Sequence, residues 1–510
     1  MKKVMKFLGH RVFLVGLALA LQLGALWLML LVFENYFVYF YSGLTLLSMI
    51  VVIIIISGNS NPGYKIAWII PVLLFPIFGG ALYLMFGGNK ISKHEKKKMQ
   101  RVKLYVQNHI TQDEILEEKL KAENMDAYLQ SHYLKMNADC PVYQNSSTEY
   151  LSTGEACYET LLEELRKAEK FIFLEFFIVH EGIMWNSILE VLEQKVKQGV
   201  DVRFLYDDMG SIFTLPNKYY RQLERKGIKC SAFNPFIPIL TKRLNNRDHR
   251  KIVVIDGKVA FTGGINLADE YINVVEKYGH WKDNGILVRG EAVWSFTVLF
   301  LSLWDYVRKT EENYLEFLPQ DKAPKIKTDG YIQPYGDSPL DEEATGETVY
   351  MNLINRAKKY IYITTPYLIL DNEMTTALCN AAKSGIDVRI ITPGIPDKKL
   401  VNQVTKANYA ILLQNGVRIF EYKKGFIHAK TFVVDDAYAT VGTVNMDYRS
   451  LYLHFECGVW LYQSSCIANI KKDLVETISQ SREIKLEETE NISGLTRMMR
   501  AILKVFAPLM

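Results

Sequence analysis

The chain has 510 residues, of which 49% are hydrophobic, and a formal net charge of +4 with an isoelectric point near 8.4. This length argues against a single hydrophobic core and is sufficient for two or three domains together with membrane segments. The small net charge gives no sign of a nucleic-acid partner or of an acidic one. The six cysteines are widely spaced without a C-x-x-C pair, so we expect reduced packing residues and neither a disulfide framework nor a cysteine metal site.

Long apolar runs dominate the first hundred residues. Residues 12–33 carry no charge over 22 positions, residues 37–57 form a second run of spanning length, and both are predicted to cross a bilayer. A cleaved signal peptide is the alternative for the first run, but that run is too long and the second follows at once. Residues 67–86 contain two prolines and two glycines and are predicted to re-enter the membrane or to lie at its surface.

Basic residues flank these runs on both sides, within residues 2–11 and again within residues 90–103. Because positive flanks stay in the cytoplasm, this pattern predicts an even number of crossings and cytoplasmic catalytic domains; three crossings, with the large domain outside, is the alternative. The second basic run is expected to contact anionic head groups, or else to be a solvated helix start. Residues 492–510 are basic with one apolar face and either lie in the membrane interface or pack on the domain.

From about residue 150 onward the chain repeats itself. Short β-branched and aromatic runs alternate with amphipathic stretches, which is typical of an α/β domain. Residues 165–179 resemble 354–368, and residues 197–207 resemble 383–393, so two similar α/β domains are predicted. The predicted segments are membrane helices at 1–88, a basic juxtamembrane linker at 89–145, the first domain at 146–315, a linker at 316–345, the second domain at 346–488 and a C-terminal amphipathic helix at 489–510.

An H-x-K-x4-D motif occurs once in each copy, as HRKIVVID at 249–256 and as HAKTFVVD at 428–435. In each motif the histidine and the lysine are two residues apart, so on a strand both side chains point to the same face. A glycine follows each histidine after 14 residues and an asparagine after 17. One motif alone would be weak support, but two matching copies predict a single shared cleft. Its polar residues are His249, Lys251, Asn266, His428, Lys430 and Asn445.

This set of side chains suits a phosphodiester. Lysine ammonium groups and asparagine amides can hold the charged non-bridging oxygens without a metal. One imidazole can attack phosphorus and form a covalent phosphohistidine, while the other protonates the departing alkoxide. Two histidines are therefore needed, because the nucleophile and the acid act on opposite sides of phosphorus.

Four acidic residues near the motifs are further candidates. A nucleophilic imidazole needs its far nitrogen held by an acceptor, and Asp283 and Glu456 are the candidates, with structural salt bridges as the alternative. Asp256 and Asp435 complete the motifs and count as catalytic candidates. Each also ends a strand before a turn, so a turn and scaffold role is an equal alternative.

A metal site is a further possibility, because His280 and His454 lie close in sequence to Asp283 and Glu456. The four residues lack matched ligand spacing. We therefore expect neither a metal nor another cofactor.

The doubled motif followed by G-x-x-N resembles the phospholipase D superfamily. More narrowly, RDHRKIVVIDGKVAFTGGINLADEY and IHAKTFVVDDAYATVGTVNMDYRSLYLHFE resemble bacterial cardiolipin synthases, as do the N-terminal segments ending in LYLMFGG and the short C-terminal helix. The likeness covers nearly the whole chain. One departure is that the first copy has Gly-Gly-Ile-Asn where the second has Gly-Thr-Val-Asn, so the two halves cannot contribute identically.

The resemblance implies two phospholipase D-like α/β/α sandwich domains related by a pseudo-two-fold axis, with a helical, multi-pass anchor in the bacterial plasma membrane. It implies that one motif histidine attacks a phosphatidylglycerol, that glycerol leaves, and that a second phosphatidylglycerol takes up the phosphatidyl group. We assign His249 as the nucleophile and His428 as the general acid and base, and the reversed assignment is the alternative. The implied phosphate-binding residues are Lys251, Lys430, Asn266 and Asn445; Arg449 and Ser450 are either neighbours of the substrate or helix-start residues.

Other functions remain possible on the sequence alone. The same site with water as acceptor would be a membrane-bound phospholipase D, or a nuclease if the cleft accepted DNA. A membrane scaffold or immunity protein with a degenerate site is less compatible, because both motifs are complete. The expected partners are phosphatidylglycerol and anionic membrane lipids, and no nucleic acid; a homo-oligomer and a monomer are both compatible with the sequence.

Overall fold

The computed structural model describes residues 37–87, 93–235, 246–319, 329–341 and 343–509, with a few helical positions between 20 and 28. The expected first apolar run, residues 12–33, lies largely outside the described residues. The chain divides into two compact units. One comprises residues 1–93, 236–245 and 501–510, and the other comprises residues 94–235 and 246–500.

The smaller unit contains three helices, α1 (Phe37–Ser57), α2 (Pro62–Leu74) and α3 (Pro76–Leu82), followed by a π-helical turn over Tyr83–Gly87. The side chain of Asn61 accepts the N–H of Gly63 and caps α2, whose first residue is a proline. Pro76 cannot continue α2 and begins α3, which divides the third apolar run. Within the described residues, no helix combines the length and the apolar character that a membrane span requires.

The first α/β domain is built on a mixed sheet of seven strands. Numbered along the chain, the strands lie across the sheet in the order 1-9-7-6-2-3-4. Strands 2, 3 and 4 are parallel to one another. Two short strands, β5 (Arg247–Asp248) and β8 (His280–Lys282), lie outside this sheet. The seven strands are β1 (Ser146–Leu151), β2 (Phe171–Phe176), β3 (Asp201–Asp207), β4 (Lys229–Phe233), β6 (Ile252–Ile255), β7 (Val259–Gly263) and β9 (Gly285–Gly290).

The second domain repeats this arrangement. Its strands are β10 (Tyr331–Asp337), β11 (Tyr360–Thr364), β12 (Asp387–Pro393), β13 (Arg418–Tyr422), β15 (Thr431–Val434), β16 (Tyr438–Gly442), β17 (His454–Tyr462) and β18 (Ser481–Glu483), with the short β14 (Gly425–Ile427) outside. The order β10-β17-β16-β15-β11-β12-β13 matches β1-β9-β7-β6-β2-β3-β4, and β5 from the first half adds to β17 as a further strand. The matching order confirms the prediction of two similar α/β domains.

Helices cover both sheets. The segment before β1 was expected to be a linker, but its residues Leu120, Ala127 and Leu134 are fully buried in the core of the second sheet. This part of the chain is therefore folded against the second domain. The helices of the larger unit are α4 (Lys93–Gln107), α5 (Glu114–Glu123), α6 (Met125–Ala138), α7 (Gly154–Lys167), α8 (Ile183–Lys197), α9 (Tyr220–Arg225), α10 (Val293–Arg308), α11 (Thr345–Arg356), α12 (Asn372–Lys383), α13 (Lys399–Gln414), α14 (Tyr448–Tyr452), α15 (Cys466–Ser479) and α16 (Leu486–Glu490), and α17 (Gly494–Phe506) follows them.

Asp256 and Asp435 hold the strands that carry the motifs. The Asp256 carboxylate accepts the backbone N–H groups of residues 169, 170 and 171, each at 2.8 Å, where β2 begins. Asp435 accepts those of residues 358, 359 and 360 at the start of β11. Both aspartates lie beyond the strand end that is remote from the motif histidine, with φ of 54° and 55°. This placement favours the scaffold alternative over a catalytic role.

Replacing Asp256 with alanine should therefore lower stability more than catalysis. Three backbone donors lose a charged acceptor and alanine must adopt a left-handed φ, so we expect a loss of about 3 kcal/mol in the free energy of unfolding. Asn at this position tolerates the φ and should cost about 1 kcal/mol. Thermal unfolding and activity per folded molecule are the measurements. Loss of activity with an unchanged melting temperature would restore the catalytic role.

Candidate active site

Two strand pairs bring the motif histidines into one site, and each pair joins a strand of one half to a strand of the other. β5 runs parallel to the start of β17, with Arg247 opposite His454, and the next residue, His249, donates its N–H to the carbonyl of Phe455 at 2.9 Å. In the other half β14 runs parallel to β8, and His428 donates its N–H to the carbonyl of Lys282 at 2.7 Å. Each histidine of one half is thus fixed by backbone hydrogen bonds to a strand of the other half.

The carboxylates are exchanged in the same way. The Nδ1 atom of His249 lies 2.9 and 3.0 Å from the two carboxylate oxygens of Glu456, and Nδ1 of His428 lies 2.7 Å from Oδ2 of Asp283. Both carboxylates are fully buried. A carboxylate on Nδ1 fixes the ring and directs Nε2 toward the reaction. The structure therefore places both sequence candidates against the rings, each on the histidine of the opposite half.

Burial lowers the pKa of both imidazoles, well below its usual value for His249 and to about 4 for His428. The lysine of the opposite half lowers each pKa further, because the charge of Lys430 acts on His249 and the charge of Lys251 acts on His428. The two motifs are thus electrostatically one site, and both rings are neutral near pH 7.

The two carboxyl groups differ in charge. Burial raises the pKa of Asp283, but the charges of His428 and Lys430 outweigh it and hold the pKa below its usual range. Burial raises the pKa of Glu456 well above its usual range, against the opposing charge of Lys251. His428 therefore faces an ionised carboxylate, whereas His249 faces a carboxyl group that favours the neutral form.

The first copy has Gly264 where the second copy has a threonine, and this difference has a steric cause. A Cβ on Gly264 would lie 1.9 Å from Oδ1 of Asp283, so no larger residue fits beside this carboxylate. In the second copy Thr443 occupies the equivalent position, and its hydroxyl donates to Glu456. The missing hydroxyl predicted an asymmetry between the halves, and the structure locates it at the two carboxylates.

The lysines and asparagines of the two copies are buried. Lys251 and Lys430 are buried, each donates to the carbonyl of its own motif histidine, and burial lowers their pKa to about 8 and about 7. Asn266 accepts the N–H of Ile178 and donates to the hydroxyl of Tyr271 at 2.7 Å.

Asn445, Arg449 and Ser450 lie at the start of α14 or shortly before it. Oδ1 of Asn445 is buried and has no hydrogen-bond partner in the described part of the chain. Arg449 and Ser450 lie in the first turn of α14, where Asp447 accepts their backbone N–H groups at 2.9 and 3.0 Å. Both residues begin this helix, and the charge of Arg449 acts on His454.

The surroundings of the two rings differ. The ring of His428 is enclosed by Tyr271, Trp281 and Phe426, with centroid distances of 5.5, 5.5 and 5.8 Å. The ring of His249 has Phe177 at 4.9 Å and His454 at 5.6 Å. One dyad is thus walled by aromatic side chains and the other adjoins a third imidazole.

The ligand atoms of His249, His454 and Glu456 lie within 4.8 Å of one another, which is a spacing that a metal ion could use. His280 is not part of this group, because it pairs through Nδ1 with the hydroxyl of Tyr422. The charges of Arg449, Arg247 and Lys251 act on His454 and oppose a cation there. The donor set therefore fits an anion better than a metal.

Comparison with known proteins identifies the family. The family model described as cardiolipin synthase, PLD-like domain matches residues 161–294 and 350–478. The cardiolipin synthase of Alkalihalophilus pseudofirmus is 36% identical over 474 residues, which cover 91% of this chain and 93% of that protein. The chain belongs to the bacterial cardiolipin synthases of the phospholipase D superfamily.

Further comparisons cover nearly the whole chain or the N-terminal segment. The enzyme named cardiolipin synthase in Geobacillus kaustophilus is 35% identical over 506 residues, 98% of each chain. A family model described as phospholipase D-nuclease N-terminal matches residues 46–88. The crystal structure of phosphatidylserine synthase from Haemophilus influenzae Rd KW20 has the same fold, with a TM-score of 0.56, 16% identity, and coverage of 74% of this chain and 98% of that one.

Proposed function

We propose that the enzyme transfers a phosphatidyl group from one phosphatidylglycerol to another, which yields cardiolipin and glycerol. The observation that carries this proposal is the pair of exchanged dyads, His249 with Glu456 and His428 with Asp283, in a chain of this family. Two imidazoles that face one phosphate can supply the nucleophile and the acid for a double displacement without a metal.

In the first step Nε2 of His249 attacks phosphorus and the bond from phosphorus to the glycerol oxygen breaks. The imidazolium of His428 gives its proton to that oxygen, and glycerol leaves. A bound phosphodiester anion counteracts the charges of Lys251 and Lys430, so the pKa of His428 rises and the ring can carry this proton. The lysines and the amides of Asn266 and Asn445 hold the non-bridging oxygens.

In the second step neutral His428 takes the proton of a hydroxyl on the second phosphatidylglycerol. The hydroxyl oxygen bonds to phosphorus, the bond from phosphorus to nitrogen breaks, and His249 is released. The ionised Asp283 supports the imidazolium that forms on His428 in each cycle. Burial and the charge of Lys251 keep His249 unprotonated, and Glu456, whose pKa burial raises, offers little charge to oppose them. This difference supports His249 as the nucleophile.

Product analysis tests the function. Purified enzyme is incubated with phosphatidylglycerol in vesicles, and the lipids and free glycerol are measured together. We expect cardiolipin and glycerol in equal amounts. Phosphatidic acid as the main lipid product would instead make the protein a membrane-bound phospholipase D, with water as the acceptor.

We further infer that the enzyme is a multi-pass protein of the bacterial plasma membrane with its catalytic domains on the cytoplasmic side. The basic residues on both sides of the apolar segments support this orientation. Large apolar side chains such as Val38, Leu46 and Ile53 are more than half exposed on α1, as they would be against lipid. Leu495, Met498 and Ile502 are likewise exposed on α17.

Acidic residues on the apolar face of α17 should weaken contact with the lipid surface. With Met498→Glu and Ile502→Glu combined, we expect the apparent KM for phosphatidylglycerol in mixed micelles to rise by about tenfold with little change in kcat. Val475→Glu is the matched control, because Val475 is 45% exposed on α15. An equal rise in the control, or an unchanged KM in the double variant, would contradict an interfacial role for α17.

A further inference from the structure

The third imidazole beside His249 has no assigned role in the two displacement steps. The side chain of His454 is 10% exposed, and neither ring nitrogen has a hydrogen-bond partner among the residues that the structure describes. Its Nδ1 lies 3.9 Å from the Glu456 carboxylate, too far for a hydrogen bond. A buried imidazole without partners is costly, so its position points to a polar ligand.

Register places an arginine on the same face. In the parallel pair of β5 and β17, Arg247 is the direct partner of His454, and His249 and Glu456 follow two residues later on the same face. Arg247 is 4% exposed and forms an ion pair with Asp207 at 3.7 Å, which fixes its position. The guanidinium of Arg247 and the imidazole of His454 therefore lie side by side, two residues along each strand from His249 and Glu456.

The other half of the site has aromatic residues at the two equivalent positions, each two residues before the histidine or the carboxylate. In the parallel pair of β14 and β8, Phe426 is the direct partner of Trp281, and their rings lie 4.8 Å apart. Two residues later come His428 and Asp283. Only one half therefore has the pair of Arg247 and His454. Because the other half has the same fold without such a pair, the fold itself does not require it.

The spacing suits the product of the proposed reaction. Two residues along a strand span about 6.6 Å. The two phosphorus atoms of a glycerol-bridged diphosphate are about 7.5 Å apart when the bridge is fully extended and roughly 6 to 7 Å apart when one staggered torsion is gauche. A phosphate bound at His249 and a second phosphate bound at Arg247 and His454 would therefore match the two phosphates of cardiolipin.

We infer that Arg247 and His454 form a second phosphate subsite, which holds the phosphodiester of the acceptor lipid while its glycerol hydroxyl reaches the phosphatidyl group on His249. The inference rests on the proposed transfer reaction. Arg247 supplies the charge, and the imidazole of His454 donates its N–H to a phosphate oxygen and accepts from the neighbouring glycerol hydroxyl. Arg449 and Lys398 add positive charge around His454.

The test compares two acceptors that share one covalent intermediate. Enzyme is supplied with phosphatidylglycerol vesicles and labelled free glycerol, and both cardiolipin and labelled phosphatidylglycerol are measured. Free glycerol carries no phosphate, so its incorporation does not need the subsite. For His454→Phe we expect cardiolipin formation to fall by about tenfold or more with glycerol incorporation within about threefold, and His454→Gln should restore part of the loss.

Trp281→Phe is the matched control, because Trp281 occupies the equivalent register position; it should change both products in the same proportion. The aromatic pair in that half also shows that a ring fits this position, so His454→Phe is expected to fold. A parallel fall of both products in His454→Phe, or unchanged cardiolipin formation, would overturn the subsite. Wild-type enzyme that incorporates glycerol but makes no cardiolipin would instead refute the proposed transfer.

Discussion

Replacing either His249 or His428 with asparagine is expected to lower the rate of cardiolipin formation by about 10⁴-fold or more, because residues that act as one catalytic unit fail together. The double variant should be no slower than either single one. Asparagine keeps a polar side chain of similar reach, so folding should be retained. Initial rates of cardiolipin formation from phosphatidylglycerol vesicles are the measurement.

His280→Asn is the matched control and should remain within about twofold of wild type, because its ring pairs with Tyr422 and not with the dyads. If each motif were a separate site, each single variant would keep about half of the activity. Such a result would contradict a shared site.

Replacing the carboxylates that pair with the histidines should also lower activity strongly. Asp283→Asn removes the charge that supports the imidazolium on His428, and we expect kcat/KM to fall by about 10² to 10³-fold. Glu456→Gln should cost only about tenfold, because the carboxyl group already favours its neutral form and the amide oxygen can still accept from Nδ1 of His249. Steady-state rates of the two variants at one pH make the comparison.

The pH dependence of Asp283→Asn checks the same point. Loss of a negative charge lowers the pKa of His428, and the first step needs protonated His428. The rate of that step should therefore decline at lower pH in the variant than in wild type. A larger loss in Glu456→Gln than in Asp283→Asn would reverse the assignment of the two dyads.

Sequence patterns were sufficient to locate the two motifs because their residues repeat at fixed spacings. The same spacing identified both lysines and both asparagines, and the alternation of strands and helices predicted two α/β domains. Asp283 and Glu456 were recognised as candidate partners of the histidines from their apolar, strand-like surroundings. These features depend on local periodicity, which a single chain displays directly.

The exchange between halves could not be predicted in this way. His249 and Glu456 are 207 residues apart, and the parallel pairs that join them depend on how the two sheets pack. Arg247 and His454 were missed as a pair for the same reason, and His454 has no counterpart in the first copy because Trp281 occupies that place. The only signal in the sequence was a histidine two residues before Glu456.

The segment before the first domain shows another limit. Residues 114–123 are rich in charge, with an isolated leucine at each turn, and the strongly basic residues before them favoured a linker. The structure instead buries Leu120 in the second domain's core. A helix that packs against a domain distant along the chain leaves little mark in its own sequence.

In the proposed mechanism one phosphate is transferred between His249 and an incoming alcohol at a site shared by both halves. Its most direct test is to quench wild-type enzyme during turnover of labelled phosphatidylglycerol and to locate the covalent lipid by mass spectrometry. We expect a single phosphatidyl adduct on His249. An adduct on His428 instead, or adducts on both histidines, would contradict it.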